Sequence, residues 1–244
     1  MGSTAIVHLD NGILHLVGGT LPERPDANLR TTVVQRIRLE IVSGKAGPGM
    51  VLSVPALAKA LGVSTTPVRE ALLELVRNGL LEPMKNRGFR VLPVSADDLN
   101  DLARMRVHLE ALAVSSIQLE RFGDGTRLRG LAQAIADAAR QGDVQGYVTN
   151  DRTFHYELIS LAGSRYLTEM IMYLRDNMRI YGLESEVGRV QQRRSVDEHF
   201  ELVDLLSRGE RAGAAELISQ HIRGWVSVVS RNAPLMRDEA KARE

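Results

Sequence analysis

The sequence contains no cysteine among its 244 residues. This absence excludes disulfide bridges, thiolate metal sites and a cysteine nucleophile, so any bound metal must be held by nitrogen and oxygen atoms. No apolar run approaches the roughly 18 to 20 residues that a membrane-spanning helix requires. The N-terminus also lacks the basic start and continuous apolar core of a signal peptide. We therefore expect a cytoplasmic protein with no membrane partner.

Basic residues are concentrated in one short part of the chain. The net charge of the whole sequence is +1, but residues 30–95 hold ten basic and four acidic side chains, a net charge of +6. Residues 96–244 hold 20 basic and 23 acidic side chains, a net charge of −3, and residues 1–29 carry −2. A small basic segment beside a larger acidic one predicts a polyanion-binding module joined to a module with another task.

The basic segment has the pattern of a winged helix-turn-helix. Ser53 is placed to cap a short helix that ends at Gly62, and Thr66-Pro67 begins the next helix after a tight turn. Residues 1–29 are predicted to form an N-terminal tail. Alternatively, the residues on either side of Asp10-Asn11-Gly12 pair as a short hairpin. The predicted elements after the tail are helices over 29–42, 53–61 and 66–78, then strands over 80–83 and 89–93.

The second helix of a helix-turn-helix lies in the major groove of DNA with its first turn nearest the bases, while a wing contacts the groove edges or phosphates. Arg69 could instead pair with a nearby glutamate, and the wing tip could be an ordinary solvated turn. The candidate DNA-binding residues are Ser64, Thr65, Thr66 and Arg69 on the helix, and Lys85, Arg87 and Gly88 on the wing.

The remainder of the chain, residues 96–244, has the pattern of an all-helical bundle. Glycine-containing breaks separate successive apolar stripes of helical period. The predicted fold is therefore mainly α, with an N-terminal winged helix-turn-helix and a C-terminal bundle of six helices. Their expected spans are 96–121, 126–141, 144–161, 165–182, 190–207 and 211–231, with a loop from Gly182 to Gly188.

Four polar residues fall on the inward stripes of these helices. Asp151 and His155 are four residues apart and share one helix face, and two further histidines lie on apolar stripes of the last two helices. Burying one carboxylate and three imidazoles without partners would cost several kcal/mol, and one divalent cation satisfies all four. Alternatively, each imidazole is a hydrogen-bonded core residue and the first pair merely stabilises its helix. The candidate metal ligands are Asp151, His155, His199 and His221.

Three imidazole nitrogens and one carboxylate oxygen suit zinc, nickel, manganese or iron without a strong preference, and we expect zinc first. Arg106 lies on the inward stripe of the first bundle helix and needs an anion there. A small organic acid could satisfy both the metal and Arg106, through coordination and a charge-assisted fork. The alternative partner for Arg106 is Glu110, one helical turn away.

The stretch Leu57-Ala58 through Gly62-Val63-Ser64-Thr65-Thr66-Pro67-Val68-Arg69-Glu70-Ala71-Leu72, with Arg87-Gly88 after it, resembles the DNA-binding domain of the GntR family of bacterial transcription regulators. The resemblance covers about 65 residues and implies operator binding. Two positions depart from it. Thr65 stands where the family usually has arginine, and Pro55 replaces a position that is basic in many relatives. Both departures remove expected positive contacts.

The bundle is similar to the effector-binding domain of the FadR-type branch of that family. The similarity is carried by Arg106-Val107, by Phe154-His155 and by Glu198-His199, with the segment from Ala214 to His221. It implies that the Asp and three His named above bind a divalent metal and that Arg106 faces a carboxylate effector. We thus expect a metal-containing, ligand-responsive repressor that is a homodimer on a palindromic double-stranded DNA operator and is not an enzyme. The alternatives are a metal-dependent enzyme and a constitutive DNA-binding protein with a purely structural metal.

Overall fold

The computed structural model describes residues 6–10, 13–17, 26–178 and 183–241, with side chains described over 29–178 and 183–226 and at 228. The chain forms two compact units. One unit is Ser95–Pro234, and the other holds Met1–Val94 together with Leu235–Glu244.

The first unit is built on three helices, α1 (Asp26–Val42), α2 (Val54–Leu61) and α3 (Thr65–Arg77). The Ser53 hydroxyl accepts a hydrogen bond from the Ala56 backbone N–H at the start of α2, and Gly62 ends this helix in the left-handed conformation at φ 67°. The sequence-based prediction of a short helix, a tight turn and a further helix matches these bounds within one residue.

A five-stranded sheet completes the first unit, in the order β1-β2-β3-β5-β4. The optional hairpin corresponds to β1 and β2, which pair antiparallel, while the predicted tip residues Asn11 and Gly12 lie outside the described residues. Strand β3 has only two residues, too few to show an alternating pattern, and the sequence did not predict it. The strands are β1 (Ile6–Asp10), β2 (Ile13–Val17), β3 (Val51–Leu52), β4 (Leu81–Met84) and β5 (Gly88–Val91).

The core of the first unit lies between its helices and the wing. Ile37 of α1, Leu57 of α2, Leu72 of α3 and Phe89 of β5 belong to one cluster of buried apolar side chains. These positions fix the face of α3 that points inward, so the opposite face of α3 is left exposed.

The second unit is helical, with seven segments among its described residues rather than the six predicted. The Ser95 hydroxyl and the Asp98 carboxylate form a capping box at the start of the first helix. The helices are α4 (Ala96–Ser115), α5 (Leu119–Phe122), α6 (Thr126–Gln141), α7 (Val144–Ser160), α8 (Arg165–Asn177), α9 (Glu186–Ser207) and α10 (Arg211–Lys241), and the residues of α10 from Leu235 onward belong to the first unit.

The predicted helix over 96–121 is wrong in its second half. Helix α4 ends at Ser115, whose hydroxyl donates to the Ala111 carbonyl, and the chain turns through the buried Ile117 before the short α5. Serine hydroxyls compete for backbone hydrogen bonds and so weaken a helix interior, which the apolar pattern alone does not register.

Helix α1 begins at Asp26 rather than 29, and three further bounds, in helices α8 to α10, differ from the predictions by four residues or more. Helix α8 ends at Asn177, because Met178 adopts an extended conformation, and residues 179–182 lie outside the described part. Helix α9 begins at Glu186 rather than 190, since the Ser185 hydroxyl accepts the Gly188 N–H as a cap. Gly188 therefore lies inside a helix and not in the predicted loop. Helix α10 extends to Lys241, ten residues beyond its predicted end at 231.

Candidate metal centre and DNA-binding surface

The four predicted metal ligands meet inside the second unit. Helix α7 supplies Asp151 and His155 from adjacent turns of one face, α9 supplies His199, and α10 supplies His221. One ligand atom from each residue lies within 4.8 Å of the others. His155 and His199 are fully buried, His221 is 2% exposed and Asp151 is 9% exposed. Residues up to 70 positions apart in the sequence thus form one compact polar cluster.

Imidazole nitrogens and a carboxylate oxygen face one another in this cluster. The Nε2 atom of His199 lies 3.3 Å from Nε2 of His155 and 3.2 Å from Oδ1 of Asp151. Two imidazole nitrogens bound tetrahedrally to one metal ion at about 2.1 Å would be roughly 3.4 Å apart. The spacing and the donor set therefore fit a divalent cation.

Hydrogen bonds on the far side of two rings set the imidazole tautomers. Nδ1 of His199 contacts the Ser195 carbonyl oxygen, which can only accept, so this nitrogen carries the proton. Nδ1 of His221 lies 2.9 Å from the Glu198 carboxylate and donates to it. In both rings Nε2 is then the unprotonated atom, and this is the arrangement typical of metal-binding histidines. The edge of Phe154 packs against His155 and His199.

A buried ion-pair network joins the cluster to α4 and α8. Nε of Arg106 donates to Oε1 of Glu110 at 2.8 Å. Arg175 donates to both oxygens of Glu110 at 3.1 and 3.2 Å and to Oδ2 of Asp151 at 2.8 Å. Glu110 is fully buried and also lies 3.6 Å from Nδ1 of His155. Two arginines and two carboxylates therefore balance one another in charge beside the three imidazoles.

The surroundings shift the pKa values of these groups in definite directions. Burial favours the neutral form of Glu110, but Arg106 and Arg175 outweigh burial and lower its pKa to about 2. The pKa of Asp151 is well below its ordinary value because the contacts with His155, His199 and Arg175 overcome burial. Burial, with the charge of Arg175, lowers the pKa of His155 to about 3. Burial also lowers the pKa of His221. The carboxylates are therefore ionised and these two imidazoles neutral at pH 7, as metal binding requires.

Sequence reasoning placed Arg106 beside the cluster but missed Arg175. In the structure, Nε of Arg106 binds Glu110, the partner that the sequence offered as the alternative to an effector. Its two Nη groups have no partner among the described residues. Arg175 lies on the inward side of α8, next to the buried Leu174 and one turn after Ile171. Its inward position on an apolar stripe is the signal that would have revealed it.

The predicted DNA-binding residues on α3 share one exposed surface. Ser64, Thr65 and Thr66 are exposed at the start of the helix, and Arg69 is exposed one turn later. No ion pair of Arg69 is found within the described part of the chain. Glu74, one candidate to pair with it, contacts Arg30 instead. The guanidinium of Arg69 therefore projects with the three hydroxyls from the first turns of α3.

The wing carries two exposed basic side chains at its tip, Lys85 and Arg87. Gly88 has a different position. Its φ is +113°, and a Cβ atom there would lie 2.3 Å from the Leu52 carbonyl oxygen of β3. Gly88 is thus required for the close approach of β5 to β3, and its contact with DNA stays a prediction.

Two protein-family models match the chain, one in each of the two units. Residues 29–91 match the model of the bacterial regulatory proteins of the gntR family, and residues 101–224 match that of the FCD domain.

Three known proteins resemble the chain over most of its length. The HTH-type transcriptional regulator BphR of Paraburkholderia xenovorans is 30% identical over 84% of this chain and 88% of its own. The probable D-xylose utilization operon transcriptional repressor of Paenarthrobacter nicotinovorans is 28% identical over 81% and 88%. The solved structure of Escherichia coli McbR/YncC has a TM-score of 0.70 at 24% identity, covering 86% of this chain and 98% of that one.

Proposed function

The chain belongs to the gntR family of bacterial regulatory proteins and carries an FCD domain, and we propose that it is a metal-containing repressor controlled by a small organic acid. It is a DNA-binding transcriptional regulator, since its relatives and its fold are those of regulators and not of enzymes. No helix in the described residues is long and apolar enough to cross a membrane. We place its action at operators in the bacterial cytoplasm. Repression is favoured by the name of the D-xylose operon relative.

The observation that carries the proposal is the convergence of Asp151, His155, His199 and His221 within 4.8 Å inside the FCD domain. Without a cation, two acceptors, Nε2 of His199 and Oδ1 of Asp151, would face each other 3.2 Å apart in the interior, which is costly. We assign a divalent metal to these residues, zinc in the first place and nickel, manganese or iron as alternatives. When bound, the metal supplies open coordination positions for the oxygens of a ligand.

Arg106 is the residue that we assign to the effector carboxylate. Its Nε is bound to Glu110, and its Nη groups have no partner among the described residues. A carboxylate that binds these Nη groups competes with Glu110 for the guanidinium. Because Glu110 is also held by Arg175, such competition would shift α4 relative to α8.

We propose that this shift alters operator binding through α4, which begins at Ala96, five residues after the wing strand ends at Val91. Arg69 and the hydroxyls of Ser64, Thr65 and Thr66 would contact base edges and phosphates in the major groove. Lys85 and Arg87 would bind the flanking backbone or groove. A coupling of about 1 to 3 kcal/mol would change operator affinity by roughly 5- to 150-fold.

Exposed apolar side chains on α4 and α8 support the proposed homodimer. Each set follows helical spacing on the surface of its helix, and the two helices pack together through Leu109, Ala113, Leu167 and Ile171. Exposed patches of this kind mark interaction sites. The side chains are Met105 and Leu112 on α4, and Tyr166, Met170 and Tyr173 on α8.

A second copy is the favoured occupant because the charges beside this surface are balanced. Asp101 pairs with Arg104 on α4, and Arg165 pairs with Glu169 on α8. In a twofold contact, each copy therefore presents both acidic and basic side chains to the other. Met170→Asp should turn a dimer into a monomer in light scattering. Val187→Asp, also at an exposed apolar residue, should leave it a dimer. A monomeric wild type would contradict the homodimer.

The proposed switch is tested by titrating metal-loaded protein, bound to a fluorescent operator duplex, with small carboxylic acids. We expect at least one acid to change the operator Kd about 5-fold or more, and Arg106→Met to abolish this response without loss of the metal. If no acid changed the operator Kd, constitutive DNA binding with a structural metal would be favoured instead.

A further inference from the structure

One buried amide nitrogen lies on the same face of α9 as His199. The residue Gln191 is only 8% exposed, and its Nε2 atom has no hydrogen-bond partner among the described residues. An unsatisfied buried donor costs about 1 to 3 kcal/mol, and such groups in native proteins point to an unseen water or ligand.

The position of Gln191 connects it with the sensor interior. Gln191, Ser195 and His199 are spaced by four residues and share one face of α9. The Ser195 carbonyl accepts the Nδ1–H of His199, and the Ser195 hydroxyl accepts the Tyr147 hydroxyl hydrogen at 3.0 Å. A line of polar groups thus runs along the helix from the metal ligands to the Gln191 amide.

Across from Gln191, helix α10 has a glycine. A Cβ atom on Gly224 would lie 2.5 Å from Nε2 of Gln191 and 3.2 Å from its Cδ atom. Gly224 follows His221 by three residues, about 4.5 Å of helix rise, while Gln191 precedes His199 by eight, about 12 Å. The amide is therefore one to two helical turns from the metal ligands, and the missing side chain at Gly224 leaves it room.

We propose that Gln191 determines which acid the sensor accepts, by donating from Nε2 to an uncharged oxygen at the far end of the effector. This inference rests on the proposed function, in which the carboxylate end is bound by the metal and Arg106. Gln191, Ser195 and Tyr147 carry no charge, so a second carboxylate placed there would be buried without compensation. The effector class is thus an oxo or hydroxy acid with roughly 5 to 12 Å between its two ends. Formate and acetate are too short.

The test compares matched acids that differ only at the distal oxygen. The probes are 4-oxopentanoate and 5-oxohexanoate, with pentanoate and hexanoate as their unsubstituted counterparts. Calorimetric titration of metal-loaded, full-length protein should give Kd values at least about 10-fold lower for the oxo acids. Gln191→Leu, which removes the donor at similar volume, should bind both kinds equally, with unchanged metal content. Gln191→Met serves as the second variant should the first fail to fold.

Gly224→Ala should also remove the preference for the oxo acids, because its Cβ atom displaces the amide. Gly130→Ala on α6 is the matched control, since a Cβ atom there meets nothing within 4 Å, and it should bind as the wild type does. A preference that persists in Gln191→Leu, or equal binding of both acids to wild type, would overturn the role of Gln191 while leaving the effector switch intact. Binding of no acid to wild type would overturn both proposals.

Discussion

Arg106 donates from Nε to the buried carboxylate of Glu110, one turn further along α4, at 2.8 Å. The arginine proposed to bind the effector thus already has an internal anion. Glu110 also accepts from Arg175 of α8, which in turn donates to Asp151. This one carboxylate therefore connects α4, α8 and the candidate metal ligands. An incoming acid has to share Arg106 with it, and that competition is the physical basis of the proposed switch.

Glu110→Gln should strongly destabilise the protein. The substitution preserves shape but leaves the charges of Arg106 and Arg175 without their shared carboxylate, and breaking a buried ion pair in this way costs about 3 to 5 kcal/mol. Urea unfolding followed by circular dichroism measures the effect. Glu169→Gln, which removes the carboxylate of an exposed pair with Arg165, should cost less than about 1 kcal/mol. Similar losses from both variants would contradict a stabilising buried network.

Metal-free protein should lose stability as the pH falls from about 6.5 to 5. The pKa of His155 in the fold is about 3 and that of His221 is also lowered, whereas an unfolded histidine titrates near 6.5. The unfolded chain therefore binds more protons in this range, and each fully neutral buried imidazole lowers the free energy of unfolding by about 1.4 kcal/mol per pH unit. Denaturant midpoints at successive pH values measure this slope. His155→Gln should reduce it, and a flat profile would mean that the folded imidazoles take up protons over the same pH range as those of the unfolded chain.

Arg69→Ala and Arg87→Ala should weaken operator binding in different ways. Arg69 on α3 is placed to read bases, so its loss should cost about 1 to 3 kcal/mol and relax the sequence preference at one position. Arg87 on the wing is placed for phosphate, so its loss should weaken all duplexes alike and reduce the salt slope by about one. Binding isotherms at several salt concentrations, on operator and scrambled duplexes, separate the two effects.

Thr65, an exposed residue at the start of α3, offers the converse test, in which a basic side chain is added. Thr65 stands where the resemblance leads one to expect arginine, so Thr65→Arg should increase operator affinity and steepen its salt dependence. Unchanged binding of both Arg69→Ala and Thr65→Arg would show that the start of α3 does not face DNA.

Gly88→Ala should disrupt the wing more than Gly49→Ala disrupts its turn. Both glycines have positive φ, so both substitutions carry a backbone cost of about 1 kcal/mol. At Gly88 the new Cβ atom would also lie 2.3 Å from the Leu52 carbonyl oxygen, while at Gly49 it meets nothing within 4 Å. The comparison of thermal unfolding midpoints isolates the clash. Equal midpoints would mean that the wing can move away from β3 at no cost.

The sequence was most informative where local rules act alone. Capping at Ser53 and Gly62 located α2, and the spacing of Asp151 and His155 correctly placed both on one inward face. The break after Ser115 and the early start of α9 at Ser185 escaped prediction because serine hydroxyl bonds decide them and apolar periodicity does not.

Partners supplied by distant elements could not be read from the sequence. Arg175 reaches Glu110 and Asp151 from another helix, and the Gln191 amide meets Gly224 only because α9 and α10 pack together. Pairwise contacts of this kind depend on tertiary packing. For Arg106 the sequence left two partners open, and the structure pairs its Nε with Glu110, with no partner for its Nη groups in the part of the chain that is described.

Metal content tests the central claim most directly, measured by elemental analysis of protein purified without nickel affinity resin. Wild type should contain about one equivalent of a divalent metal per chain, and His199→Ala should lose most of it. His108→Ala, at an exposed histidine on α4, should keep the wild-type content. Equal metal content in wild type and His199→Ala, or none in either, would contradict a common site built from Asp151, His155, His199 and His221.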